Sequence, residues 1–137
     1  MEKEEKSSDI HTFFKNFIQL SRIEKFSFRK SNNKDLELFV KRDDLIHNYI
    51  SGNKIRKLNQ NIFSFYKNKC KKLVTFGGAF SNHIVATAAA GVEYGFKTIG
   101  IIRGDELNES SNSTLRFAKC MGMDLRFVSR EEYRQLK

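Results

Sequence analysis

From residue 72 onward the chain alternates apolar runs, glycine turns and helical patterns, and that alternation leaves few folds open. Lys72-Leu-Val-Thr-Phe-Gly-Gly78 predicts a strand over 72–78 running into a glycine turn. Residues 81–94 are rich in alanine and closed by Gly95, which predicts a helix, and 97–104 predict a second apolar strand. An acidic loop over 105–110 leads into a helix over 112–121, with Leu115, Ala118 and Met121 on one side and Gly122 at its end. A third strand follows over 124–129, and 130–137 begin another helix. Strand, helix, strand, helix, strand at this spacing gives the fold class as α/β, a parallel open sheet with flanking helices and right-handed crossovers.

Upstream the pattern is less regular. Residues 1–9 read as a charged tail, and Phe13, Phe14, Phe17, Ile18 and Leu20 predict an amphipathic helix. A short extended piece over 23–28, a turn over 31–35, a strand over 36–43 and a polar connection over 43–49 complete the first third. The connection leads into Ser51-Gly-Asn-Lys-Ile-Arg-Lys-Leu58, a loop that turns directly into a helix. Ser51 or Asn53 can cap that helix, and Gly52 permits a tight backbone approach. Ile55, Leu58, Ile62 and Phe65 then recur at helical spacing. Lys54 lies at the edge of this stripe in the first turn, where the helix dipole, Arg56 and Lys57 disfavour a charged ammonium. Such a lysine is suited to attack carbonyls, including the aldehyde of pyridoxal phosphate. The same octapeptide also reads as a basic helix start on a solvated face.

Phe76-Gly-Gly-Ala-Phe-Ser-Asn-His83 lies where a strand's carboxyl end meets a helix start, the usual place for ligands in open α/β sheets. Unpaired amides at that start, with the Ser81 hydroxyl and Asn82 amide, suit an anion such as a carboxylate. Neither a Walker A loop nor a GxGxxG fingerprint is present. The alternative is a βα turn capped by Ser81.

The formal charge of +9 invites a nucleic-acid reading, but the cations are scattered and interrupted by acids. The densest run, Lys67-Asn-Lys-Cys-Lys-Lys72, reads as a helix end followed by a strand entry. No nucleic-acid partner is therefore expected. Cys70 and Cys120, with His11, His47 and His83, lack metal-ligand spacing, so no metal site is expected and the thiols suit a reducing compartment. No window is apolar enough to cross a bilayer and the start lacks the apolar core of a secretion signal, which gives no membrane partner and a cytoplasmic location.

Lys41-Arg-Asp-Asp44, Ser51-Gly-Asn-Lys54 with Arg56-Lys-Leu58, and Thr75-Phe-Gly-Gly-Ala-Phe-Ser-Asn-His83 together resemble the 1-aminocyclopropane-1-carboxylate deaminase and D-cysteine desulfhydrase family of pyridoxal-phosphate enzymes. That family has the tryptophan-synthase-β-like, or type II, fold. The resemblance covers roughly 36–134, continuing through 97–104 and Asn112-Ser-Thr-Leu115. It implies pyridoxal 5'-phosphate as cofactor, Lys54 as its covalent attachment point, and Asn82 bonded to the ring hydroxyl. It further implies that Ser81, with the amides of Asn82 and His83, holds the substrate carboxylate, and that Ser81 approaches the reacting carbon. Asn53 and Lys57 lie close enough in sequence to help position the cofactor. His83 departs from the glutamine of deaminase-like members and leans toward the desulfhydrase side, with D-cysteine giving sulfide, ammonia and pyruvate. Members run to about twice this length or more, with their phosphate-cradling loop in the C-terminal half. The chain therefore reads as an N-terminal portion: 1–55 as tail and first piece of the large cofactor domain, 56–137 as most of the small α/β domain. By the same resemblance the full-length form is a homodimer acting on a small amino acid, and the 137-residue chain alone is inactive. Two other readings remain: a catalytically inactive module retaining the fold, and a basic nucleic-acid-binding domain.

Overall fold

The computed structural model of the chain describes residues 20–29 and 35–136. The tail over 1–9 and, Leu20 apart, the first expected helix lie outside the described residues. Strands β1 (Ile23–Arg29) and β2 (Asp35–Lys41) pair antiparallel, from Ile23 opposite Lys41 to Arg29 opposite Asp35. The sequence indicates two extended pieces but not that they pair. Period-two alternation puts Phe26, Leu38 and Val40 on one face of this ribbon, and they are 49%, 44% and 42% exposed. On the other face Lys25 pairs with Glu37.

The segment after β2 differs from the polar connection that its composition suggests. It contains a 3-10 turn, Asp43–Leu45, and then buries Ile46 and Ile50, at 2% and 0% exposure. Both isoleucines pack beneath helix α1 (Asn53–Lys67), whose stripe of Ile55, Leu58, Ile62 and Phe65 is buried as its spacing predicts. Burying each such side chain is worth about 1.5–3 kcal/mol, which makes this segment part of the core rather than a linker.

Next come β3 (Lys72–Gly78), α2 (Asn82–Tyr94), β4 (Lys97–Arg103), α3 (Ser113–Cys120), β5 (Asp124–Val128) and α4 (Arg130–Leu136). The three strands are parallel in the order β3-β4-β5, as the alternation requires. Helix α2 is central. Ala86, Ala89 and Ala90 face α1, whereas Ile84 and Ala88 join Ile102, Leu115, Ala118, Met123 and Leu125 in a second cluster. Small side chains let α2 sit close on the sheet, and Gly77 is where it sits closest. A Cβ there would lie 2.5 Å from Ile84 Cγ1, well inside van der Waals contact. Asn112 caps α3 by accepting from the Leu115 N–H at 2.9 Å, and its side-chain amide donates to the Ala79 carbonyl at 3.1 Å. One residue thus ties α3 to the turn that follows β3. On the opposite sheet face, Phe76 meets Tyr133 of α4 edge to face at 5.9 Å.

Candidate active site

The loop that carries Lys54 is shaped by its glycine. Gly52, rather than Ser51 or Asn53, occupies the N-cap of α1, with φ 63° and ψ −144°. That conformation lies close to a region essentially confined to glycine, so backbone geometry overrides the better capping chemistry of its neighbours. Space is not the reason, since a Cβ at Gly52 would meet no described atom within 4 Å. The Gly52 N–H donates to the Asp43 carbonyl at 2.9 Å, which closes the loop onto the 3-10 turn. The Asp43 carboxylate accepts two bonds from the Arg56 guanidinium, at 2.9 and 3.0 Å, and one from the Ser21 hydroxyl. Arg56 foremost, then Ser21, holds the Asp43 carboxyl at a pKa of about 2, against an ordinary 3.8. The Lys41-Arg-Asp-Asp44 and Arg56-Lys-Leu58 motifs therefore meet as a clamp on either side of Lys54.

The second motif forms the turn between β3 and α2. Ser81 holds the N-cap position of α2, but its side chain makes no capping hydrogen bond, contrary to the capped-turn reading. Its carbonyl accepts from Ile84 and Val85, while the Asn82 and His83 amides have no intrahelical acceptor.

The two motifs converge. Lys54 and Asn82 line one cavity of about 250 Å³ together with Asn48, Tyr49, Ser51 and Val85. Among the described residues the Lys54 ammonium has no hydrogen-bond or ion-pair partner. Asn82 and Val85 share this face because they lie three apart on α2. His83, one position on, turns its side chain into a separate groove between α1 and β3, beside Leu58, Asn61 and Thr75. Burial, followed by the Lys54 and Lys57 charges, pulls the His83 pKa below its ordinary value, so the ring is neutral at pH 7. Ser81 is half-buried at the turn, Asn53 and Lys57 are exposed, and none of the three lines the Lys54 cavity.

Asn48 and Tyr49, which sequence patterning assigns to a mere connection, form a wall of this cavity. His47 Nδ1 accepts the Tyr49 and Ile50 N–H groups at 3.1 and 3.0 Å, and Tyr49 packs on Phe117 with ring centroids 4.7 Å apart. In the sequence this wall is marked by Tyr49, the aromatic residue two positions before the lysine loop.

No protein-family model matches the chain. Individual relatives do. A Thermotoga maritima protein named as a candidate 1-aminocyclopropane-1-carboxylate deaminase is 36% identical over 111 residues, which is 81% of this chain and 35% of the relative. The bifunctional D-cysteine desulfhydrase/1-aminocyclopropane-1-carboxylate deaminase of Arabidopsis thaliana is 32% identical over 101 residues, 71% of this chain and 25% of the relative. The solved structure of an ACC deaminase homologue superposes with a TM-score of 0.62 at 25% identity, covering 87% of this chain and 37% of that one. The chain thus spans between a quarter and somewhat over a third of the length of these three proteins. On sequence and fold together, the chain is similar to part of the proteins named 1-aminocyclopropane-1-carboxylate deaminase and D-cysteine desulfhydrase.

Proposed function

We propose that this chain supplies the lysine-bearing part of a pyridoxal-phosphate-dependent lyase or deaminase acting on a small amino acid. The observation that carries the reading is the shared cavity, in which a primary amine with no hydrogen-bond or ion-pair partner among the described residues and a carboxamide converge from two motifs 28 positions apart. These donors fit the adjacent aldehyde and ring hydroxyl of the cofactor, Lys54 toward the first and Asn82 toward the second. Bound pyridoxal phosphate supplies an electron sink for negative charge at the substrate α-carbon. Lys54 would hold the cofactor through its aldehyde, and its Nζ would serve as the base that accepts or returns a proton at the substrate carbon. The Asn82 and His83 amides, in the first turn of α2 where no intrahelical acceptor is available, and the Ser81 hydroxyl would anchor the substrate carboxylate. Neutral His83 adds no third positive charge beside Lys54 and Lys57. Exposed Asn53 and Lys57 play at most a positioning role.

The names of the relatives support D-cysteine or 1-aminocyclopropane-1-carboxylate as substrate. In this reading residues 1–55 belong to the larger cofactor domain and 56–137 to the smaller one, and the whole protein is a cytoplasmic homodimer. Among the described residues no helix is long and apolar enough to cross a membrane.

The test is chemical trapping. The 137-residue chain is incubated with pyridoxal phosphate, reduced with borohydride and mapped by peptide mass. Lys54 should carry the pyridoxyl group in preference to every exposed lysine, and Asn82→Ala should reduce that preference. Labelling of Lys54 at only the level of Lys25 or Lys119 would refute the assignment.

A further inference from the structure

The ribbon of β1 and β2 leaves a strand edge open. Among the described residues no third strand pairs with β2, so its outer backbone groups lack a sheet partner. The direction of those groups follows from one bond just past the strand end: the Arg42 N–H donates to the Arg22 carbonyl at 2.8 Å. Backbone groups alternate along an antiparallel pair, so Leu38 and Val40 bond to β1. The odd-numbered residues, among them Glu37, Phe39 and Lys41, turn N–H and C=O to the open side.

Proline, bulges and repelling charges ordinarily keep such an edge from pairing with another chain. Here the chain has no proline, and the register runs unbroken from Ile23 opposite Lys41 to Arg29 opposite Asp35. Phe39 is 64% exposed, with the Lys25 ammonium 6.0 Å from its ring centre. The charges that flank Phe39 do not repel a second copy. Glu37 and Lys41 are opposite in sign and equally distant from it along β2, so a two-fold axis through Phe39 sets each against the other.

We propose that β2 pairs edge to edge with β2 of a second copy of this chain, antiparallel and about a two-fold axis at Phe39. The two ribbons then form one continuous antiparallel sheet with both β1 strands outermost. Glu37 lies opposite Lys41 of the partner subunit, Leu38 opposite the partner's Val40, and Phe39 opposite its own counterpart. Opposite charges, aliphatic pairs and aromatic pairs facing each other across strands each stabilise such a sheet. The outward N–H and C=O groups of Glu37, Phe39 and Lys41 all find partners in this register, since they sit at directly opposed positions. The contact does not depend on the role assigned to Lys54, which borohydride labelling reads separately.

The test is sedimentation equilibrium of the full 137-residue chain. An edge contact is small, so a dimer with a dissociation constant of about 10 μM to 1 mM is expected. Phe39→Pro removes an outward N–H without touching the bonds to β1, and should weaken the dimer by at least about tenfold. Glu37→Lys and Lys41→Glu, each alone, set like charges opposite each other and should weaken it by about tenfold as well. Mixed in equal amounts, those two variants should recover pairing as a heterodimer, because every lysine then meets a glutamate across the axis. Recovery also shows that both variants are folded. A chain that stays monomeric at about 1 mM would overturn the proposal. So would a dimer whose affinity ignores the Phe39 and charge variants, a mixture that fails to pair, or assembly that grows past the dimer.

Discussion

Replacing Gly77 by alanine tests whether helix packing sets the geometry of the Lys54 cavity. The added Cβ would stand 2.5 Å from Ile84 Cγ1, 2.9 Å from Ile84 Cδ1 and 3.1 Å from Ser81 Cβ. Ordinary carbon–carbon contact needs about 3.5–4.0 Å, so roughly 1 Å must be found. Ile84 is 0% exposed and packed among Ile102, Leu115 and Met123, so it cannot swing aside. The start of α2 must lift instead, carrying Ser81 and Asn82 away from the sheet. Overpacking of this kind costs about 1–3 kcal/mol, or a fall in Tm of about 3–10 °C for a chain of this size. Urea unfolding followed by circular dichroism measures the loss. A double-mutant cycle assigns it: Ile84→Ala costs about 2–5 kcal/mol alone, but Gly77→Ala/Ile84→Ala should lose less than the sum, because the colliding atoms are gone. In Gly77→Ala the selectivity of pyridoxal labelling for Lys54 should fall as well. A Gly77→Ala protein that unfolds within about 0.5 kcal/mol of the parent would refute the reasoning.

Two further outcomes follow from the polar contacts. The Asp43 pKa is depressed to about 2, so the stability it contributes is fully present above about pH 4 and drains away as pH falls toward 2. Because Arg56 is 39% exposed, screening limits that share to about 1 kcal/mol; Asp43→Asn should remove it at neutral pH and flatten the urea midpoint between pH 4 and pH 2. Asn112→Ala should destabilise by about 1–2 kcal/mol, losing both the α3 cap and the bond to Ala79. Asn112→Ser, which can cap but has no amide to donate, should fall between the two in the same unfolding assay.

The sheet was legible because its signals are local. Lys72 to Gly78 and Lys97 to Arg103 announce strands by composition, Gly95 closes α2, and the spacing of Ile55, Leu58, Ile62 and Phe65 gives the buried face of α1. Where tertiary geometry decides, sequence patterning fell short. Ser51 and Asn53 are better capping residues by type, yet the chain must pass through a conformation open to Gly52. Ile46 and Ile50 lie in a segment too short to show a repeating pattern, and only the docking of α1 above them shows that they belong to the core. The Ser81 hydroxyl looks like a cap in sequence but makes no capping bond. Lys54 and Asn82 can each be singled out by motif, but their common cavity, and the wall that Asn48 and Tyr49 give it, depends on how α1 packs against α2. The helical turn likewise separates the His83 side chain from its neighbour Asn82, which adjacency in sequence does not reveal.

The ribbon of β1 and β2 has too few strands to stand by itself. Its ties to the remainder are largely ionic: Arg42 reaches back to Glu24 at 2.7 Å and forward to Asp44 at 2.7 Å, and Ser21 bonds Asp43. The three-stranded unit rests on buried isoleucine, leucine and alanine instead. Sulfate or phosphate salts weaken the first kind of bond and strengthen the second. The two parts of the molecule therefore answer ionic strength in opposite directions, and the lysine loop sits at the joint between them.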